Sequence, residues 1–321
     1  LKQGFHRIVA HLCGLLGWVM AQSALGACPA DAPSLQALGP DLWWIPGAAG
    51  DSTPANRGRT DNLLVLRHDG RVWLMGSGAS PAAGHALDCV LRERLGWHVT
   101  DVVNPWARPE VVLGNSAFTR ASTPARLWAH DEVAQAMQRQ CPRCVERLHQ
   151  RLGAAAVDLG PQPIVIPPLR LQGSQGTLGP WQWWRLERAP GSVVTVWHVR
   201  GSAWWWAPGL LWSDGPPDLR DAHTATLASS LAQLDGLTHD APEPPRWLPT
   251  QGEPLPSDAP HTQHLYVRHL PWLAQQRQDS GTLETDPPPV PEGPAYLSQG
   301  ERASLNWQRV WRQVESATAP R

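Results

Sequence analysis

Thirteen histidines and five cysteines are the side chains best suited to metal or thiol chemistry in this 321-residue chain. The densest histidine group is His261-Thr-Gln-His264 with His269. It lies in a Pro-rich stretch without the Cys, Asp or Glu pattern of a zinc site, which predicts a solvated loop. His130 follows the apolar run Leu127 to Ala129, and His198 falls in a strand-like run; structural hydrogen bonding is the expectation for both. Cys141-Pro142-Arg143-Cys144 has two readings. As a disulfide it staples two helices; as a thiol pair at a helix start it is a redox site, because the helix dipole favours a thiolate there. No Gly-x-Ser-x-Gly occurs, no glycine-rich phosphate loop follows a strand, and Ser77 between Gly76 and Gly78 reads as a turn.

The elements that must position such groups are legible from periodicity. Leu42 to Pro46 predicts a first strand, and Asn62 to Arg67 with Arg71 to Met75 predicts a hairpin closed by His68-Asp69-Gly70. Gly84 to Leu95 has helical spacing, Val99 to Val103 is a buried strand, and Asn104 to Asn115 is a long loop entering a helix. Residues 131–152 read as two helical pieces divided at Cys141-Pro142. Ile164 to Leu171, Trp181 to Glu187, Val193 to Val199 and Ala203 to Ala207 are strand candidates, and Ala222 to Leu237 is a helix. Residues 253–300 read as a Pro-rich loop region and 301–321 as a final amphipathic helix with a tail. Strands and helices in this alternation imply a layered α/β domain.

Composition narrows the setting. A net charge of −1 offers no concentrated basic surface, which argues against nucleic acid as a partner. There are 19 Trp beside two Phe and two Tyr, and Lys2 is the only lysine. Codon usage in a GC-rich genome explains both biases; an aromatic binding surface explains the first. Lys2 and Arg7, the apolar run Ile8 to Ala21 and small residues up to Ala27 predict a cleaved signal peptide over 1–27, with no membrane span, and hence a periplasmic or secreted protein. Residues 28–40 form a short lead-in. Four cysteines remain after cleavage, which pairs Cys141 with Cys144 and Cys28 with Cys89. Leu25-Gly26-Ala27-Cys28 also fits a lipobox, in which case Cys28 is a lipid anchor and Cys89 is left over.

Several segments together resemble the metallo-β-lactamase superfamily. They are Asn56-Arg57-Gly58, the run from Asn62, Asp69-Gly70, Gly76-Ser77-Gly78, Val102-Val103-Asn104 leading to Leu113-Gly114-Asn115, Arg188-Ala-Pro-Gly191, and Trp247 to Gly252. The Cys-x-x-Cys insertion near 131–152 and the tail from Asn306 to Glu315 resemble the exported members found beside quinoprotein dehydrogenase systems. The resemblance implies a four-layer αββα sandwich over 41–252. It also implies zinc held by His-x-His-x-Asp-His and by three later ligands. Those positions here hold Trp106, Arg108, Glu110, Val111, Arg188, Gly209 and Gln251, and Gly76 replaces a further aspartate. Only Glu110 offers a donor, since an indole nitrogen has no free lone pair, a guanidinium is always cationic and valine has no polar atom.

The resemblance therefore implies a pseudo-hydrolase without metal or cofactor, serving as an accessory or binding protein, with an exported dehydrogenase as a partner by analogy. The alternatives are a divergent hydrolase with a rebuilt metal site and a thiol-redox protein using Cys141 and Cys144. Trp106 with Trp204, Trp205 and Trp206 is the expected stacking surface at the rim. Glu110 is expected to pair with Arg108 or Arg188 beneath Trp106, the alternative being that all three point outward into water.

Overall fold

The structure is a computed structural model that describes residues 27–120, 123–239, 241–283, 287–290 and 294–318. The expected signal peptide falls almost wholly outside the described residues, and none of the helices among them is long and apolar enough to cross a membrane.

Two sheets stack face to face. The first contains β1 (Gln36–Ala37), β2 (Leu42–Ile45), β3 (Leu63–His68), β4 (Arg71–Met75), β5 (Asp101–Asn104), β6 (Arg126–His130) and β7 (Leu169–Leu171), in that spatial order. It is antiparallel through β4 and parallel from β4 to β7. The second runs β12 (Arg246–Leu248), β11 (Trp204–Trp206), β10 (Ser192–Val199), β9 (Trp181–Ala189) and β8 (Gln175–Leu178). Only its β11–β12 pair is parallel. The β3–β4 hairpin turns through Asp69 and Gly70, both left-handed, as a two-residue turn between twisted strands requires.

Period-two alternation sends each strand's side chains into two different cores. Leu63, Val65, Val72 and Leu74 face outward onto helices α1 (Pro81–Leu95), α3 (Asn115–Thr119) and α4 (Asp131–Leu152). Their neighbours Leu64, Leu66, Trp73 and Met75 face the second sheet and meet Trp181, Trp183, Trp197, Trp204 and Trp206. The outer face of the second sheet, with Trp184, Trp205 and Trp247, packs under α5 (Thr224–Thr238), α6 (Ala259–Asp279) and α7 (Gly300–Thr318). The result is the expected αββα sandwich, with indoles as the main filling between its sheets.

Three expectations are corrected. Residues 131–152 form one continuous helix carrying Pro142 inside it, and Cys141 and Cys144 are free thiols rather than a disulfide. The Pro-rich region 253–300 contains the 21-residue helix α6, so His261, His264 and His269 lie on a helix and not in a loop. Pro260 sits in its first turn, where a missing N–H costs nothing, and Tyr266, Val267 and Leu270 bury its inner face. Trp204, Trp205 and Trp206 are only 7%, 5% and 0% exposed, so they are core side chains and offer no stacking surface. The Cys28–Cys89 disulfide is present and ties the lead-in to α1.

One close approach fixes the loops at the end of the sandwich. The short helix α2 (Pro109–Val112) is zipped to the turn after β4, with Ser77 N donating to Val111 O at 2.8 Å and Gly114 N to Gly78 O at 3.0 Å. A Cβ on Gly114 would lie 1.9 Å from Ser77 O. Gly114→Ala is therefore expected to destabilise the fold by about 3 kcal/mol or more, as overpacking against backbone that cannot yield. Chemical denaturation checks this, and a midpoint unchanged from wild type contradicts it.

Candidate functional site

The loops that meet at this end of the sandwich come from both sheets. The connection after β5 is pinned to β10, where Pro105 O accepts from Thr195 N at 2.8 Å and Trp106 bridges to Val194. That anchor lays the Trp106 indole over the backbone at Gly209, where any Cβ would meet the indole at 3.1 Å. The same indole lies beside two guanidinium groups. The Arg108 and Arg188 carbons are 5.0 and 4.7 Å from its ring centre, an arrangement in which the ring quadrupole attracts both cations.

The two arginines have different partners. Arg108 Nε donates to Glu110 Oε2 at 3.1 Å and lies 3.5 Å from Asp61 Oδ2. Glu110 Oε1 accepts from the Ser52 hydroxyl at 2.9 Å. Glu110 is thus paired with Arg108, as one of the two expected pairings has it, with Trp106 against the guanidinium. Arg188 is 1% exposed and makes no hydrogen bond to Glu110. It donates to Gly209 O and, at 2.6 Å, to Asp218 O, and it also faces the Trp212 ring at 5.2 Å. Burial pulls its pKa down to about 10, partly offset by the Asp218 charge, so it stays cationic at neutral pH.

Asp61 and Gln251 close the cluster from beneath. Asp61 Oδ1 accepts from Thr60 Oγ1 at 3.2 Å and from Gln251 Nε2 at 3.4 Å. Gln251 Nε2 also donates to Gly50 O at 3.1 Å, and its oxygen accepts from Arg302 at 3.1 Å. Arg302 comes from α7 and forks onto Asp214 at 2.8 and 2.9 Å. Burial pushes the Asp61 carboxyl up to about 6 against the pull of Arg108, and the Glu110 charge adds to the rise. The two carboxylates hold the buried Arg108 firmly cationic. At the lip, Asp51 accepts both Arg220 Nη donors at 2.7 and 2.5 Å, and Arg220 Nε reaches Asp218 at 2.8 Å. Burial would raise Asp218, but the hydrogen bond and charge of Arg220 outweigh it and bring its pKa to about 2.

The seven positions singled out in the sequence thus come together. Trp106, Arg108, Glu110, Arg188, Gly209 and Gln251 belong to one contact network, and Val111 sits in the first core immediately below. Ser52, Asp61, Trp212, Asp218 and Arg302 complete the site and carry no motif of their own. The adjacency of Asp61 to the Asn62 run was the only pointer to any of them.

A zinc centre does not fit this donor set. Catalytic zinc takes about three protein ligands, whereas the carboxylates of the cluster are already ion-paired, Asp61 and Glu110 with Arg108 and Asp218 with Arg220, beside a second buried cation, Arg188. Among the described residues the one group of three donors is Cys28, Cys89 and Glu93, in which both sulfurs are joined as a disulfide. Three of the histidines considered above are engaged in structural contacts. His264 Nδ1 lies 2.9 Å from Ala228 O, and His130 Nε2 lies 3.0 Å from Gly173 O. His198 stacks on Trp205 with ring centres 4.4 Å apart.

Solved structures similar to this chain include metallo-β-lactamases. The enzyme from Erythrobacter litoralis superposes with a TM-score of 0.58 at 14% identity, covering 74% of this chain and 97% of its own. The enzyme from Hirschia baltica gives 0.56 at 12%, covering 73% and 97%, and TMB-1 gives 0.57 at 10%, covering 74% and 97%. The chain has the metallo-β-lactamase fold. No protein-family profile and no curated protein sequence matches it. A metallo-β-lactamase fold at this level of identity is a statement about architecture, and the chemistry rests on the side chains described above.

Asp61 gives the site a signature in pH. Its folded pKa lies above its ordinary value of 3.8, so the folded state holds the proton more tightly than the unfolded chain does. Its contribution to stability is then fully present below about pH 4 and lost as pH rises through about 6. The stability of Asp61→Asn relative to wild type is expected to climb across that window and level off above it. Urea unfolding between pH 4 and 8 measures the difference, and a pH-independent difference contradicts the burial of the carboxylate.

Proposed function

We propose that this protein is a pseudo-hydrolase, a metallo-β-lactamase frame whose metal centre has been replaced by side chains. In this reading Trp106, Arg108, Glu110, Val111, Arg188, Gly209 and Gln251 occupy the former ligand positions. The observation that carries it is the guanidinium of Arg108, within ion-pair reach of both Asp61 and Glu110, with the Trp106 ring close to it and to Arg188. A dication placed there would face two guanidinium groups, and the two nearest carboxylates already lie within ion-pair reach of one of them. The cluster binds the loops together as a metal would, without supplying a Lewis acid or a bound hydroxide.

The role that remains is that of an exported accessory or binding protein. The Cys28–Cys89 disulfide supports an oxidising compartment, and by using the Cys28 sulfur it favours a soluble protein over a lipid anchor. The likeness of the tail and of the Cys-x-x-Cys segment to proteins encoded with quinoprotein dehydrogenases supports an exported dehydrogenase as partner.

Elemental analysis of the purified protein tests the reading. The expected result is substoichiometric zinc and iron, and a melting temperature unmoved by zinc or by a chelator. Glu110→Gln is expected to lower stability while leaving hydrolysis of a chromogenic β-lactam at background. About one metal ion per chain, retained through dialysis against a weak chelator, overturns the proposal.

A further inference from the structure

Among the described residues, Cys141 and Cys144 are the two cysteines not joined in a disulfide, and the cluster does not use them. They stand one turn apart on α4, so both lie on the same helix face, with Cβ atoms about 5–6 Å apart in regular geometry. A disulfide needs about 3.5–4.5 Å, so closing the pair requires the turn between them to yield. That turn contains Pro142, which has no N–H to offer Gln138 O and whose ring crowds that carbonyl. A helix start with Pro at its first position is the conformation this sequence also accommodates. The continuous helix and a helix divided at Pro142 are therefore both within reach of the same residues.

The surroundings divide the labour between the two sulfurs. Cys144 is partly exposed, with Arg147 Nη2 donating to its sulfur at 3.4 Å, so it is the sulfur that a substrate can reach. Cys141 is fully buried in the first core, the cluster that also contains Val111, Val112 and Met137. Burial first, then the neighbouring Cys144 and the Glu110 charge, pushes its thiol up to about 12, so it is not the group that starts an exchange.

We propose that Cys141 and Cys144 form a dithiol site that exchanges with disulfides, and that its oxidation divides α4 at Pro142. This inference is independent of the pseudo-hydrolase reading. The Cys144 thiolate attacks one sulfur of a disulfide substrate, forming a mixed disulfide and expelling a thiolate. Cys141 gives its proton to that thiolate, attacks the Cys144 sulfur and expels the second thiolate, which is protonated from water. Two cysteine thiols lose two electrons, and the substrate disulfide becomes two thiols. The move is felt at the cluster, because α4, which carries Cys141, packs against the short helix that carries Glu110.

The test uses the full chain with Cys28–Cys89 intact, equilibrated in oxidised and reduced glutathione, then alkylated and mapped by mass spectrometry. The peptide containing both cysteines is expected to lose both alkylatable thiols together, lighter by two hydrogen atoms. Amide exchange near Gln138 to Cys141 is expected to quicken in the oxidised form. Cys141→Ser is expected to trap glutathione on Cys144, and Cys144→Ser to leave Cys141 unmodified. The proposal fails if both thiols stay alkylatable under oxidising conditions that preserve Cys28–Cys89, or if wild type accumulates glutathione on Cys144. It also fails if the new link involves Cys28 or Cys89, if exchange near Pro142 is unchanged on oxidation, or if Cys144→Ser reacts as fast as Cys141→Ser.

Discussion

Arg108 places one guanidinium within reach of two carboxylates that folding has taken out of water, and the end of the sandwich is arranged around that charge. Asp61 arrives on the β2–β3 loop and Glu110 on the short helix after β5, so neither is fixed near the other by local sequence. Two desolvated carboxylates without a cation would repel each other and cost several kcal/mol. With the guanidinium between them they become a tie between loops. Ser52 and Gln251 extend the tie by hydrogen bonds, and through Arg302 it reaches the last helix. Arg188 adds a second buried cation, and the Trp106 ring is close to both. A metal centre ties loops at one point with a double charge. This cluster spreads the same charge over two planar groups that fork onto oxygens and stack on indole faces.

The indole layer supplies the floor. Between the sheets, Trp181 and Trp197 meet edge to face with centres 6.4 Å apart, and Trp206 reaches to within 3.6 Å of where a Cβ on Gly76 would stand. Gly76 opens the turn that is zipped to Glu110's helix, so packing between the sheets positions the charge cluster above it. Large rigid side chains suit this place, since each buries much area while losing few rotamers. The abundance of tryptophan is in this sense a property of the core.

The strands and hairpin were legible because period-two alternation is a local signal, and the β3–β4 turn carries its own chemistry in Asp69-Gly70. Helix α6 was not legible, because Pro260 and Pro271 argue locally against a helix that Tyr266, Val267 and Leu270 then stabilise from the side. Pro142 argues in the same direction, against a helix that packing keeps whole. Trp204 to Trp206 read as a rim because nothing in three successive indoles says that both faces of their strand are covered. At the cluster, Arg108 and Glu110 are two residues apart and their pairing could be foreseen. Ser52 lies 58 positions from Glu110 and Gln251 190 from Asp61, contacts that only the assembled sandwich creates.

The central claim, that a buried guanidinium–carboxylate pair holds together the place of a metal centre, is tested most directly by a double-mutant cycle. Stability is measured by denaturation at neutral pH for wild type, Arg108→Met, Glu110→Gln and the double variant. The account predicts that each single change is more harmful than it is in the partner's absence, with a coupling energy of about 2 kcal/mol or more. Additive effects, with coupling within about 0.5 kcal/mol of zero, would contradict it.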